Sequence, residues 1–394
     1  MKFLHLVLDE KFIDGICDVI DKVAVGEHEF AYFNQFHQPI RYLSEKCQKK
    51  VEIHTSRKSF RKRILACNYD ILFIHSLKAV DLKILPMLPP AVKVWWSSWG
   101  YDIYSNSGMW KRTHDLIPCQ FYAPRTIQII KSQVWTPKSV INKIISVLAF
   151  LIFAPERFFL SQKEFEKAIA RIDYCSTVLQ PEFVELKKNS FLKAKYLTWV
   201  VSSSQNPYEE DVADNSDNHH NILVGNAAAR SMNHSDVFHM LKGKLSEDRK
   251  IIVPLSYGDA GYAKIIEKEG REIWHDNFVA LKTFLPMNEY LKILKTCSCA
   301  IFYSFRQQAM GNINLMLYLG CKVFLPVDSC AFQFYRNMGI KIFSLEDITE
   351  KMLNTQLSEE DKRMNRILIR NNRGMDFTVK KFRESYNIIM KDVL

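Results

Sequence analysis

The chain has 394 residues, of which 47% are hydrophobic and 25% charged, a composition that excludes a disordered or fibrous protein. Its length predicts two to three domains. The net charge of +11 favours an anionic partner, which leaves nucleic acid, acidic lipid and a phosphorylated ligand as candidates.

Two features predict a reducing, cytoplasmic setting. The nine cysteines are scattered without CxxC pairs, so we expect neither a disulfide framework nor a zinc site. The N-terminal stretch MKFLHLVLDEKF has no long apolar core and reaches Asp9 and Glu10 early, which argues against a signal peptide.

The densest basic cluster lies on a predicted helix and comprises Arg57, Lys58, Arg61, Lys62 and Arg63. It is either a solvated helix face or a contact with an anionic surface. No DNA- or RNA-binding signature accompanies it, so we expect no nucleic-acid partner.

An apolar segment lies within residues 144–160 and reads IISVLAFLIFA from Ile144 to Ala154. Eleven helical residues rise only about 16 Å, roughly half the hydrocarbon core of a bilayer, so the segment cannot span a membrane. Lysines precede it and Arg157 follows, which favours an interfacial element on an anionic membrane surface; the alternative is a buried core helix. The predicted membrane contacts are Leu148, Phe150, Leu151, Phe153 and Arg157.

The elements alternate along the chain. In the first half, strands are predicted at residues 3–8, 71–75, 92–97 and 175–179, with helices at 14–23 and 164–172. The polar stretch 202–220 is a predicted linker. Alternation then resumes, with strands at 221–224, 251–255, 279–281, 300–303 and 323–325 and helices at 262–268 (ending at Gly270), 288–295, 313–319 and 378–393.

Apolar strands that alternate with helices predict parallel sheets covered on both faces. We therefore predict an α/β protein with two Rossmann-like, doubly wound domains that face a cleft. The boundaries are residues 1–201 for the N-terminal domain, 202–220 for the linker and 221–377 for the C-terminal domain; residues 378–394 form a helix expected to pack back on the N-terminal domain. Ligands in such domains bind beyond the carboxyl ends of the strands.

Two strand ends in the C-terminal domain carry residues suited to a nucleotide diphosphate. Glycines let the backbone approach a ligand, helix N-termini favour phosphate, and guanidinium and amide groups donate hydrogen bonds. The predicted donor-binding residues are Gly225, Asn226, Arg230, Ser231, Tyr257, Arg306, Gln307, Gln308, Gly311 and Asn312. For each loop, an ordinary capped turn is the alternative.

In the N-terminal domain, a carboxylate stands beside aromatic residues at a strand end, as expected for sugar binding. The predicted catalytic residues are Asp102 and His75, and the predicted acceptor contacts are Trp99, Tyr104 and His5. A capping role for Asp102 and core roles for His5 and His75 are the alternatives.

These stretches together resemble one family, the TDP-4-acetamido-4,6-dideoxy-D-galactose:lipid II transferases (glycosyltransferase family 56) of enterobacterial common antigen assembly. The resemblance rests on WGYDIY from Trp99, ILVGN from Ile222, Arg230-Ser231, Val253-Pro254 with Tyr257, and RQQ from Arg306 with Gly311. It implies a GT-B fold, a dTDP- or UDP-linked sugar donor held mainly by the C-terminal domain, and a polyprenyl-diphosphate-linked saccharide as acceptor. It also implies a peripheral protein on the cytoplasmic face of the bacterial inner membrane.

The chain departs from the family pattern at two places. Residues Ala227, Ala228 and Ala229 replace a more polar loop, which affects the expected nucleotide or sugar. The stretch between Tyr104 and Cys175 is longer and contains the apolar segment, which affects the expected acceptor.

The predicted reaction is glycosyl transfer without a metal or other cofactor. No DxD-type pair stands where this fold would need one, so Arg306, backbone N–H groups and helix N-termini are expected to stabilise the departing diphosphate. Asp102 or His75 would act as the base or hold the donor sugar. The alternatives are a sugar-nucleotide epimerase on the same fold and a non-catalytic protein of polysaccharide assembly at the membrane.

Overall fold

A computed structural model describes residues 1–10, 12–35, 37–104, 116–134, 160–199, 220–246 and 248–393. Two parallel β-sheets dominate it, one from each half of the chain. The predicted membrane contacts Leu148, Phe150, Leu151, Phe153 and Arg157 lie outside the described residues, as does the predicted linker apart from His220.

The first sheet has the strand order β3-β2-β1-β4-β5-β6-β7, and all its neighbouring strands run parallel. Its strands are β1 (Lys2–Val7), β2 (Glu27–Phe33), β3 (Val51–His54), β4 (Ile71–His75), β5 (Lys93–Ser97), β6 (Tyr174–Ser176) and β7 (Lys195–Tyr196). The helices of this half are α1 (Ile13–Val23), α2 (Glu45–Gln48), α3 (Arg57–Leu65), α4 (Ala79–Ile84), α5 (Pro124–Val134), α6 (Gln162–Ile169) and α7 (Gln180–Leu186).

The second sheet has the order β10-β9-β8-β11-β12-β13, again with parallel neighbours. Its strands are β8 (Asn221–Val224), β9 (Ile251–Pro254), β10 (Phe278–Leu281), β11 (Cys297–Ile301), β12 (Lys322–Leu325) and β13 (Phe343–Ser344). The helices are α8 (His234–Leu241), α9 (Ala260–Trp274), α10 (Met287–Leu294), α11 (Met310–Tyr318), α12 (Cys330–Asn337), α13 (Glu350–Asn354), α14 (Glu359–Asn372) and α15 (Met375–Val393).

Apolar residues on both faces of each sheet explain why the strands are continuous hydrophobic runs. Every residue of β4 is buried, and the ring of Phe73 stacks on Trp95 of β5 with centroids 4.0 Å apart. Such strands bury both faces only when helices cover both sides. The prediction of two doubly wound Rossmann-like domains is confirmed.

The last helix, α15, crosses back to the first domain. It packs against α1, and its Phe382 and Ile389 belong to the same buried cluster as Phe3 of β1. The guanidinium of Arg383 donates hydrogen bonds to the carbonyl oxygen of Val23, in the last turn of α1. The chain therefore ends on the domain in which it begins.

Helix α5 belongs to the first half by sequence but docks on the second domain. The carboxylate of Asp236 in α8 accepts hydrogen bonds from the backbone of Arg125 and Thr126 and from the Thr126 hydroxyl, so it caps the first turn of α5. The amide of Asn233 accepts from the Ala123 N–H at 2.8 Å. A second interdomain contact joins α7 to α12.

The predicted end of helix α9 at Gly270 is wrong, because the helix continues to Trp274. A Cβ atom on Gly270 would lie 2.1 Å from the ring of Phe278 at the start of β10. The glycine therefore allows close helix–strand packing and does not terminate the helix. Within the described ranges, no helix combines the length and apolar character that crossing a bilayer requires.

Candidate active site

The centre of each sheet holds the point at which the strand order reverses. Strand β8 pairs with β11 in the second sheet, and β1 pairs with β4 in the first, while the connections from each pair lead to opposite sides. Diverging connections leave a crevice beyond the carboxyl ends of these strands, where ligands of doubly wound sheets bind. The two predicted donor loops follow β8 and β11 and therefore lie together at one such crevice.

Gly225, directly after β8, has the left-handed φ of 67°. A Cβ atom there would lie 2.6 Å from Nε2 of His234, the first residue of α8. The imidazole of His234 is fully buried, burial lowers its pKa to about 3, and its Nε2 has no hydrogen-bond partner among the described residues. Only glycine fits this turn, because both the conformation and the space exclude a side chain.

A hydrogen bond joins the two donor loops. The Ser231 hydroxyl donates to Oε1 of Gln308 at 2.7 Å, and the Ser304 hydroxyl lies 3.5 Å from the same oxygen. The structure thus brings together Ser231 and Gln308, which are 77 residues apart in sequence. Their roles in donor binding stay predictions.

Two asparagine–tyrosine pairs line the same edge of the sheet. Nδ2 of Asn226 donates to the Tyr257 hydroxyl at 2.7 Å, and Nδ2 of Asn312 donates to the Tyr290 hydroxyl at 3.0 Å. The Tyr257 side chain is 53% exposed, whereas Oδ1 of Asn226 is buried and has no partner within the described part of the chain. An unsatisfied buried acceptor beside an exposed phenol marks a place where a ligand would complete the hydrogen bonding.

Arg230 does not offer the free positive charge that the sequence predicts. Its guanidinium pairs with Asp259 at 2.5 Å, donates to Oε1 of Gln133 in α5 at 2.8 Å and lies 5.7 Å from the ring centroid of Tyr262. Asp259 offsets the charge of Arg230, and the two hydrogen bonds engage two of its N–H donors. Arg230 therefore forms an interdomain contact that supports the loop, and its role in donor binding stays a prediction.

Arg306, in contrast to Arg230, forms no ion pair with a carboxylate of the described residues. Its guanidinium lies 5.8 Å from the ring centroid of Phe121, and burial lowers its pKa. Among the described residues, no carboxylate oxygen lies within 4.0 Å of it. A desolvated guanidinium still carries its charge, so this side chain is an unneutralised cation at the interface of the domains.

The N-terminus of α11, four residues further on, has no side-chain cap. Its N-cap residue, Ala309, has a left-handed φ of 61°, and the first turn contains no acidic residue. The backbone N–H groups at the start of a helix have no intrahelical partner and carry a partial positive charge. An added Cβ at Gly311 would meet no atom within 4 Å, so this turn borders open space.

Asp102 organises two loops at the carboxyl edge of the first sheet. Its Oδ2 accepts hydrogen bonds from the Leu77 N–H and Trp96 Nε1, and its Oδ1 accepts from the Trp99 N–H, each at 2.9 Å. Burial raises the pKa of the carboxyl group, and these donors oppose that shift. The geometry establishes a positioning role, and the catalytic role stays a prediction.

His5 and His75 lie in the core, where both rings are 0% exposed, and their predicted roles in acceptor binding and catalysis stay predictions. They form a chain in which His75 Nε2 lies 2.9 Å from His5 Nδ1, and His5 Nε2 lies 2.9 Å from His28 Nδ1. Burial lowers the pKa of all three, so the rings are neutral. Since His28 Nε2 must donate to the carbonyl of Val25, each proton in the chain is fixed and His75 donates to His5.

Tyr104 is buried as well, and its role as an acceptor contact stays a prediction. It is 5% exposed and donates to Oε1 of Glu182 at 2.7 Å. Burial raises the pKa of the Glu182 carboxyl to about 7. Trp99 is different, because it is only partly buried and packs edge-on against Phe12 at 5.9 Å.

The loop that carries Trp99 reaches the other domain. A Cβ atom on Gly100, whose φ is 92°, would lie 2.5 Å from Oε1 of Gln307. Gln307 therefore touches the N-terminal domain, and the carboxyl edges of the two sheets face each other at this contact. His234 and Tyr290 are site residues that the sequence analysis missed, because it considered the residues directly after each strand and both lie on the helices beyond.

Across the described parts of the chain, no three His, Cys, Asp or Glu side chains come together as a metal site. The donor crevice instead presents Arg306, backbone N–H groups, amides and phenols. Such a set binds oxygen-rich anions through hydrogen bonds and charge.

Comparison with known proteins places this site in context. The model of 4-alpha-L-fucosyltransferase glycosyl transferase group 56 matches residues 166–374, more than half of the chain. A glycosyltransferase from Rickettsia africae ESF-5 has 13% identity and a TM-score of 0.62, covering 99% of this chain and 98% of its own.

Two further structures have the same architecture. HepE from Anabaena, solved in complex with UDP, has 12% identity and a TM-score of 0.61, covering 98% of this chain and 100% of its own. The lipopolysaccharide outer core galactosyltransferase WaaB has 11% identity and a TM-score of 0.60, and the match covers 99% of this chain and 100% of WaaB. These similarities confirm the GT-B fold.

Proposed function

The chain belongs to glycosyl transferase group 56, the 4-alpha-L-fucosyltransferase family, and on this premise we propose a specific donor and acceptor for its transfer reaction. The donor is a nucleotide diphosphate carrying a 4-acetamido-4,6-dideoxyhexose or a related sugar. The acceptor is a polyprenyl-diphosphate-linked saccharide in surface polysaccharide assembly. The enzyme works as a peripheral protein on the cytoplasmic face of the bacterial inner membrane.

The observation that carries the donor assignment is the pairing of Arg306 with the uncapped start of α11. A partly buried guanidinium that has no carboxylate partner among the described residues is unfavourable, and a bound anion relieves that penalty. A diphosphate between Arg306 and the first turn of α11 receives charge-assisted hydrogen bonds from both. The UDP complex of HepE, a protein of the same fold, supports a nucleotide donor that carries a diphosphate.

The proposed donor site supports the chemistry of the leaving group. As the bond between the sugar and the diphosphate breaks, the electron pair stays on the diphosphate oxygen and negative charge develops there. In this proposal Arg306 and the N–H groups of Met310 and Gly311 donate hydrogen bonds to that charge, so they stabilise the transition state more than the ground state. The acceptor hydroxyl forms the new bond and loses its proton to a base on the N-terminal domain, for which Asp102 is our candidate.

The same arrangement supports transfer without a metal ion. A guanidinium and a helix N-terminus supply the positive charge that a divalent ion gives in other transferases. We therefore expect transfer to continue in excess EDTA at an unchanged rate. A large loss that Mg²⁺ or Mn²⁺ restores would refute this part of the proposal.

The decisive experiment replaces Arg306 by alanine and measures both UDP binding and sugar transfer. Removing one preorganised donor of this kind lowers kcat by roughly 10²- to 10³-fold. Arg370→Ala is the matched control, because Arg370 is exposed on α14, away from the crevice. Wild-type transfer by a folded Arg306→Ala variant would overturn the donor assignment.

The donor base is tested with wild-type protein by titrating UDP, dTDP and GDP. Tight binding of UDP or dTDP and weak binding of GDP is the expected result. Transfer is then assayed with a polyprenyl-diphosphate-linked saccharide and with the same saccharide lacking the lipid diphosphate. Equal activity on the two acceptors would contradict the proposed acceptor.

A further inference from the structure

The second crevice, at the reversal point of the first sheet, carries a cation of its own. Strands β1 and β4 are neighbours, and the connections after them diverge to opposite faces of the sheet. Asp9 and Phe12 follow β1, and Lys78 follows β4. In a doubly wound domain, this is the position at which a ligand is expected.

Lys78 forms no ion pair with a carboxylate of the described residues, although the charge of the nearby Asp81 acts on its ammonium group. Its Nζ lies 5.8 Å from the ring centroid of Tyr32, near the end of β2, and no carboxylate oxygen of the described residues lies within 4.0 Å of it. The nearby Asp81 accepts a hydrogen bond from the backbone N–H of Lys78 at 2.8 Å. Burial lowers the pKa of the ammonium group to about 8, so the group remains mostly charged at pH 7.

Asp9, a second carboxylate at this crevice, is held by hydrogen bonds. Asp9 accepts hydrogen bonds from the backbone N–H groups of Arg41, Tyr42 and Leu43. These bonds engage both oxygens of the Asp9 carboxylate and hold the loop before α2. The ammonium group is therefore available to an external anion.

Two unsatisfied donors stand on the adjacent strand end. The Ser98 hydroxyl and the Trp99 indole Nε1 are buried and have no hydrogen-bond partner within the ranges that the structure describes. Buried donors without a partner are rare, because each costs about 1–3 kcal/mol. Ser76, between β4 and Lys78, has a left-handed φ of 69°, a strained conformation for serine that is typical of ligand-binding loops.

We propose that this N-terminal crevice binds a phosphate ester or diphosphate group, with Lys78 as its cationic contact and Ser98 as a hydrogen-bond donor. The inference deepens the proposed function, on which it rests, by giving the phosphate of the acceptor a place separate from that of the donor. The aromatic pair of Trp99 and Phe12 borders the same crevice and offers an apolar surface beside the phosphate. The two anionic substrates thus meet two different cations, Lys78 and Arg306.

Calorimetric titration tests this assignment with farnesyl diphosphate, inorganic pyrophosphate and farnesol as probes, both in saturating UDP and without it. Wild-type protein should bind the two phosphate probes in the presence of UDP and should not bind farnesol. Lys78→Gln should weaken that binding by about 10- to 100-fold, as expected for loss of a charge-assisted contact. Lys83→Gln, an exposed position on the same helix, is the matched control.

The same titrations show whether the crevice recognises the phosphate group alone or a lipid-linked phosphate. Equal binding of pyrophosphate and farnesyl diphosphate means that the crevice recognises phosphate alone, and tighter farnesyl diphosphate means that the lipid adds to it. A second variant, Ser98→Ala, removes an unsatisfied hydroxyl and should weaken binding by about 2- to 10-fold without unfolding the domain.

Equal affinities in wild type, Lys78→Gln and Lys83→Gln would overturn the proposal, as would the absence of phosphate binding to wild-type protein. UDP affinity must be unchanged in Lys78→Gln. If wild-type protein fails to bind UDP but still binds farnesyl diphosphate through Lys78, the donor assignment fails and the present inference stands.

Discussion

Thr126 and Asp236 join the two halves of the molecule across 110 residues of sequence, with the Thr126 hydroxyl 2.7 Å from Oδ2 of Asp236. The same carboxylate caps the first turn of α5 through two backbone N–H groups. A cap normally comes from the residue that precedes its helix. Here the cap comes from the other domain, so the start of α5 is stable only while the domains are docked.

Asp236→Ala should therefore loosen the docking of α5. It removes a cap and leaves buried donors unsatisfied, and we expect the free energy of unfolding to fall by about 2–3 kcal/mol. Urea unfolding monitored by tryptophan fluorescence measures the change. Asp328→Ala, at an exposed position after β12, is the control, and equal stability of the two variants would contradict the assigned role.

Gly225 and Gly311 should respond in opposite ways to alanine. Gly225→Ala forces a left-handed conformation on a residue with a side chain and places Cβ 2.6 Å from His234, so it should cost more than about 2 kcal/mol and weaken UDP binding. In Gly311→Ala, the new Cβ atom points into open space within a helix, so the free energy of unfolding should rise by about 0.5–1 kcal/mol. Thermal unfolding of both variants, with UDP titration, checks the contrast; similar behaviour would argue against the described turn.

Ser231→Ala tests whether the two donor loops act together. Without the Ser231 hydroxyl, Gln308 loses its shorter hydrogen bond and the loops are held less firmly. A loss of about 0.5–1.5 kcal/mol corresponds to UDP binding roughly 2- to 10-fold weaker. Ser132→Ala, which removes an exposed hydroxyl of α5, should bind UDP as wild type does.

His234 should make stability depend on pH below neutrality. Its pKa is about 3 in the folded protein and near 6.5 in the unfolded chain, so the unfolded state binds the proton first as pH falls. Its contribution is complete above about pH 6.5 and is lost as pH falls towards 3. Between pH 6.5 and 5, this histidine should remove about 2 kcal/mol from the free energy of unfolding.

The measurement compares wild type with His234→Gln at both pH values, so that titration of other groups cancels. The variant should lose about 2 kcal/mol less than wild type over this interval. Equal slopes for wild type and His234→Gln would show that the imidazole is not held neutral.

Strand and helix periodicity predicted most elements of the two domains, since buried parallel strands are short apolar runs. Strands β2 and β3 were not predicted, because EHEFAYF and VEIH mix charged and apolar residues near one edge of the first sheet, where several side chains are exposed. Both predicted donor loops do follow strands, because the alternation of apolar strand, polar loop and helix can be recognised from neighbouring residues in the sequence.

The sequence alone determined the fold class, the family and the two loops after β8 and β11, since these depend on residues that are neighbours along the chain. Only the tertiary structure decided which side chains are available to a ligand. Arg230 pairs with Asp259, His5 is enclosed with His75, and Arg306 has no carboxylate partner among the described residues. The physical reason is that the charge and exposure of a side chain depend on partners that folding brings from distant positions.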